Sequence, residues 1–231
     1  ERLSAEDEPY HREPITYEAP YLDNLPTAPR EKFAANIAAI QKLKEIEQRV
    51  ANGGSPAFED EQKILAQYTG WGGLSDAFDP NKSTWSNEYS QLKAALSESE
   101  YEAARSSTLT AFYTPATVIH PIYRALERFG VKGGKILEPS MGTGAFLAHG
   151  HFGSSDAKFY GVELDSITGR ISKQLYQKAN IQVTGYENAL LPDNYFDCVI
   201  GNVPFGNFQV NDPQYNRLHF PIHDYFFAKS I

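Results

Sequence analysis

Apolar residues recur at helical spacing from Arg30 to Val50, at Phe33, Ile37, Ile40, Leu43, Ile46 and Val50, which predicts an amphipathic helix. Asn52-Gly53-Gly54 ends it. Ser55-Pro56 then reads as the cap and first turn of a second helix carrying Ile64, Leu65 and Tyr68. Tyr68 to Leu74 holds Gly70, Gly72 and Gly73 around Trp71, too many glycines for a helix, so a loop is expected, pinned by Trp71 and Trp85. Ser97 and Glu100 form a capping-box pair opening a short helix to about Arg105.

After Thr108 the period changes. Thr114-Pro115 opens a helix with Val118, Ile119, Ile122, Leu126 and Phe129 expected inward and Gly130 as its stop. Short apolar runs at Lys135–Glu138, Lys158–Glu163, Ile181–Thr184 and Phe196–Gly201 then alternate with helical segments. Strands alternating with helices imply βαβ units and a mainly parallel sheet, with a ligand site at the carboxyl ends of the strands. Ahead of all this, residues 1–29 contain Pro9, Pro14, Pro20, Pro26 and Pro29 among seven acidic residues, and read as an extended arm. Three regions follow: an arm at 1–29, a helical extension at 30–107 and an α/β domain at 108–231.

Composition narrows the classes. The single cysteine, Cys198, excludes an internal disulfide and a thiolate metal cage, and in Phe196 to Ile200 it reads as a small buried hydrophobe. No signal-like start or membrane-length apolar run is visible, so cytoplasmic residence without membrane attachment is expected. The net charge of −8 argues against a broad basic surface for duplex DNA, though not against a local one. His219 and His223 have the spacing of a metal pair but no third ligand, so no metal is expected. His149 and His151, past the helix after the glycine turn, are expected to face solvent.

Three motifs carry chemistry. Glu138-Pro139-Ser140-Met141-Gly142-Thr143-Gly144-Ala145-Phe146 runs from a strand through a glycine turn into a helix, where a ligand can approach the backbone. About twenty residues on, Glu163 ends the next strand, placed to accept hydrogen bonds from ribose hydroxyls. Asn202-Val203-Pro204-Phe205 follows the last strand.

That tetrapeptide resembles the Asn-Pro-Pro-Phe/Tyr signature of amino-methyltransferases. Glu138 to Phe146 is similar to their first S-adenosylmethionine motif, and Ala111-Phe112-Tyr113-Thr114-Pro115 resembles the Thr-Pro element of adenine-specific DNA methyltransferases, in the gamma order. The resemblance covers roughly residues 108–231. It implies a Rossmann-like S-adenosylmethionine-dependent methyltransferase sheet, incomplete because only four strand candidates are present, following the helical extension. It also implies transfer of a methyl group to the N6 amine of adenine in DNA, with this fragment expected to be inactive alone.

By the same resemblance, Thr114, Pro115, Glu138, Pro139, Ser140, Gly142, Gly144, Phe146, Glu163 and Asn188 hold the cofactor. Glu138 would reach its methionine amino group, and Asn188 stands where an aspartate often accepts from its adenine amine. Asn202, Val203, Pro204 and Phe205 form the catalytic loop. The side-chain oxygen of Asn202 and the carbonyl of Val203 would hold the amine, while Phe205 stacks on an extruded base. Val203 departs from the usual proline, which loses a fixed φ but keeps the carbonyl.

The upstream helices with Gly70-Trp71-Gly72-Gly73 look similar to the amino-terminal region of large mobile-element methylase–helicase polypeptides, which implies DNA and a helicase domain as partners. Two alternatives stay open: a protein-glutamine methyltransferase, which shares the tetrapeptide chemistry, and a cofactor-binding scaffold without turnover.

Overall fold

The computed structural model describes residues 13–17, 25–108, 114–150 and 157–231. The chain opens with helices α1 (Pro29–Ala51), α2 (Glu59–Leu65), α3 (Ser86–Ala95), α4 (Glu98–Ser107) and α5 (Ala116–Arg128). Then come β1 (Lys135–Glu138), α6 (Ala145–His149), β2 (Lys158–Glu163), α7 (Ser166–Leu175), β3 (Asn180–Val183), β4 (Cys198–Val199) and α8 (Ile222–Ser230). The four strands form one parallel sheet in the order β3-β2-β1-β4. Strand order reverses between β1 and β4, so a crevice opens at their carboxyl ends, where ligands bind in open α/β sheets.

Alternation along β1 divides the core. Ile136 packs with Ile119 and Tyr123 of α5 and Phe146 of α6, while Leu137 joins Val162 and Ile222, Tyr225 and Phe226 of α8. The helical extension continues the core rather than standing apart. Phe33, Ile40, Leu43 and Trp71 share one buried cluster with Ile167, Ile171 and Leu175 of α7. Arg170 of α7 binds Glu47 of α1 and Glu100 of α4, the latter at 2.6 Å. Gln62 of α2 donates to the carbonyls of Gln174 and Leu175 at 2.8 and 3.0 Å, satisfying acceptors that the end of α7 leaves open.

Several expectations change. The second helix starts at Glu59, not at Ser55-Pro56, and ends before Tyr68. Arg49 explains this, because its guanidinium binds the Ser55 and Pro56 carbonyls and the Glu61 carboxylate, fixing the connection as a loop. Helix α3 was not legible, since it buries only Leu92. In α5, Val118 and Phe129 are 47% and 84% exposed, and Tyr123 takes an inward place instead. Strand β4 is shorter than Phe196–Gly201, pairing with β1 only at Ile136↔Cys198 and Leu137↔Val199.

His149 does not face solvent. It is buried, and its Nδ1 lies 3.2 Å from Nε2 of His120. His151, Pro9 and Pro20 lie outside the described residues. Of the arm, Thr16 bridges to Tyr176 and Tyr17 is buried. Among the described residues, no helix is long and apolar enough to cross a membrane, and no group of three metal-ligating side chains is found.

Candidate active site

The glycine turn after β1 is held from three sides. Met141 N–H donates to the Val162 carbonyl at 3.0 Å, and the Gly142 carbonyl accepts from Ser172 Oγ at 2.8 Å. Gly142 has φ +55° and its N–H donates to Glu163 Oε2 at 2.8 Å. Gly144 has φ +79°, and a Cβ there would stand 2.4 Å from the ring of Tyr176. Its glycine answers to backbone conformation and to that ring. Phe146 sits in the core at 3% exposure, so its side chain packs under the turn and not in the crevice.

Two carboxylates face this turn. Glu163 accepts from the N–H groups of Gly142 and, at 2.7 Å, Asp165. Burial pushes its carboxyl up to about 7, against those donations, which favour the ionised form. Glu138, at the end of β1, is buried, and its Oε2 has no hydrogen-bond partner. Burial, then the charge of Glu163, pushes Glu138 well above the usual carboxylate range. Two carboxyl groups in one recess, one with an orphaned oxygen, fit a ligand that brings positive charge and hydrogen-bond donors.

Apolar surface flanks the same strand ends. Leu164, next to Glu163, is 76% exposed, and Leu190 is 85% exposed. Gln182 of β3 clamps Leu190 by two bonds, accepting from its N–H at 2.9 Å and donating to its carbonyl at 3.0 Å. Asn188, at the end of a single 3-10 turn, is exposed and donates to Glu187 at 2.9 Å. It therefore stands beside the recess, whereas Leu164 and Leu190 were not singled out in the sequence. Two large apolar side chains in solvent at neighbouring strand ends were the available signal.

The loop after β4 comes to the same place. Ser140 Oγ donates to the Asn202 carbonyl at 3.0 Å, leaving the Asn202 side chain exposed. Val203 is half-buried in the cluster of Leu137, Tyr186 and Phe226, so its side chain anchors the loop where proline's ring would fix φ. Pro204 is half-buried and Phe205 is 70% exposed.

Asp212, not singled out in the sequence, holds the far end of this loop. It accepts from Tyr225 Oη and Lys229 Nζ, each at 2.8 Å, and from Gln214 N–H at 3.0 Å. Despite its burial, these donors hold its carboxyl below the usual range. Thr114 and Pro115 stand just before α5, with Pro115 at its cap, while Ala111, Phe112 and Tyr113 lie outside the described residues. Pro139 is buried behind the turn, against Gly201.

Comparison with known proteins places this site in a lineage. The N-6 DNA Methylase family profile matches residues 98–223. Defense against restriction protein B of Escherichia phage P1 is 28% identical over 198 residues, 85% of this chain and 7% of that protein. Modification methylase CviBIII of Paramecium bursaria Chlorella virus NC1A is 33% identical over 95 residues, 41% of this chain and 25% of that protein. A solved Methanococcus maripaludis protein described as an S-adenosyl-L-methionine-dependent methyltransferase aligns over 46% of this chain and 51% of its own, at 21% identity and TM-score 0.33. The chain thus spans at most a quarter of the length of these two curated relatives. With more than half of its residues under the family profile, glycine turn and asparagine tetrapeptide included, the chain belongs to the N-6 DNA Methylase family.

Proposed function

We propose that this chain carries the S-adenosyl-L-methionine site and the amine-binding loop of an adenine-N6 DNA methyltransferase. The observation that carries the reading is the convergence on one short segment. Gly142 binds the acidic tip of β2, and Ser140, two positions earlier, binds the loop of Asn202. Family membership supports DNA over a protein glutamine as the acceptor.

S-adenosyl-L-methionine, when bound, supplies a methyl group made electrophilic by its sulfonium. Glu163 would accept from the ribose hydroxyls, and the orphaned oxygen of Glu138 would receive the methionine ammonium, directly or through water. Leu164 and Leu190 offer apolar faces for the adenine ring of the cofactor.

The substrate amine is a poor nucleophile because its lone pair is delocalised into the ring. The Asn202 side-chain oxygen and the Val203 carbonyl accept its two N–H bonds and favour a tetrahedral nitrogen aimed at the methyl group. They also stabilise the charge that develops on that nitrogen, so the proton leaves after transfer and no carboxylate base is required.

Duplex DNA is the partner, and a helicase segment of the same polypeptide is its companion, a reading supported by the Gly70-Trp71-Gly72-Gly73 element. Likeness along most of the chain to a phage protein named for defence against restriction supports a mobile-element source. The test is transfer of labelled methyl from S-adenosyl-L-methionine to adenine-containing duplex, run beside a glutamine peptide. Label recovered as N6-methyladenine is expected; label only in the peptide overturns the reading.

A further inference from the structure

Phe205 and His223 come from different elements, the loop after β4 and the first turn of α8, yet their rings face each other. Their centroids are 5.9 Å apart and their planes differ by 31°. Both reach solvent, Phe205 at 70% exposure and the His223 side chain at 33%. Ring pairs that serve packing alone lie mainly inside, as Tyr186 and Phe226 do here. This pair opens outward beside Asn202, in whose tetrapeptide Phe205 stands.

The spacing suits a third ring. A base stacked between two aromatic faces needs a separation of about 7 Å, twice the roughly 3.4 Å stacking distance in nucleic acids. The pair must therefore open by only about 1 Å, starting from 5.9 Å.

No hydrogen bond pins His223 among the described residues. Its Nδ1 is buried without a partner, and its Nε2 is 3.7 Å from Asp224, beyond bonding distance. The ring is kept in place by packing, which yields to a small rotation more readily than a bonded ring. Its backbone is steadier, because Asp212 ties α8 to the loop through Tyr225 and Lys229.

We propose that His223 is the second wall of a slot for an extruded adenine, with Phe205 as the first. The proposal rests on the adenine-methylation reading and adds the residue that closes the base site from the α8 side. Stacking on an aromatic face is insensitive to base identity, so His223 sets affinity for the base, and Asn202 and Val203 keep the choice of an amine.

The experiment titrates the chain into a single-stranded oligodeoxyadenylate carrying one 2-aminopurine, whose fluorescence is quenched by stacking. His223→Ala is expected to raise the half-saturation concentration about 5- to 100-fold, and His223→Phe to restore it. Affinity for S-adenosyl-L-methionine and the melting temperature should stay unchanged in both variants, which a merely structural role for His223 would not allow. Wild-type quenching by His223→Ala while Phe205→Ala loses it overturns the proposal. So does an unresponsive probe with methyl transfer to adenine intact, an outcome that leaves the proposed function standing. An unresponsive probe together with no transfer to adenine overturns both.

Discussion

The hydroxyl of Ser140 donates to the carbonyl of Asn202 at 3.0 Å, across the point where strand order reverses between β1 and β4. One bond thus sets the asparagine loop relative to the turn that would seat the cofactor. Ser140→Ala removes this tie without disturbing the two carboxylates. Methyl transfer should fall about 2- to 12-fold, the equivalent of about 0.5–1.5 kcal/mol for a neutral hydrogen bond, with cofactor affinity unchanged. Parallel calorimetry and transfer assays check it, and equal losses in both would mean that Ser140 contacts the cofactor itself.

Glu163 is the charged acceptor of the recess. Glu163→Ala should weaken S-adenosyl-L-methionine binding by about 1.5–3 kcal/mol, the range for hydrogen bonds to charged groups. Calorimetry measures this directly, and an unchanged dissociation constant removes Glu163 from the ribose role.

The same residue makes a prediction about pH. Burial raises its folded value to about 7 from an ordinary 4.5, so between these values the native state holds a proton that the unfolded chain has released. Stability of the free protein therefore falls as pH rises from 4.5 to 7 through this group, and Glu138, raised for the same reason, acts in the same direction. Glu100 acts oppositely. Burial pushes it up, but the Ser97 N–H, Arg170 and Lys44 outweigh that and bring it down to about 2. Its contribution is present above 4.5 and is lost as pH falls toward 2. Thermal melts from pH 4.5 to 7 should show a shallower decline for Glu163→Gln than for wild type.

Gly144→Ala should destabilise the fold by about 2–5 kcal/mol, combining a left-handed backbone with forced overlap on Tyr176. Denaturant unfolding measures it. Tyr176→Leu in the same background should recover part of the loss by relieving the overlap.

Much of this was legible where local chemistry decides. Strands β1 and β2 fall at the predicted residues because each is an apolar run bounded by glycines or a change of period. The capping box at Ser97 formed as its sequence required, with Glu100 N–H donating to Ser97 Oγ and Ser97 N–H to Glu100. Long-range choices were hidden. Arg49 delays α2 through contacts with two carbonyls and Glu61, and Asp212 meets Lys229 only after the loop folds back on α8. Phe146 and Gly144 carry a motif's spacing yet serve the core and the turn, a distinction visible only when Tyr176 arrives from α7. His149 shows the converse, since its burial depends on α5 lying beside α6.

The account stands on the cofactor recess and the amine acceptor being neighbours with separate duties. Asn202→Ala measures that most directly, by calorimetry with S-adenosyl-L-methionine and by labelled methyl transfer to adenine-containing duplex in the same preparation. Cofactor affinity within about twofold of wild type, with transfer abolished, is the predicted result, twofold being about 0.4 kcal/mol. A large loss of cofactor affinity, or transfer that survives the substitution, would contradict it.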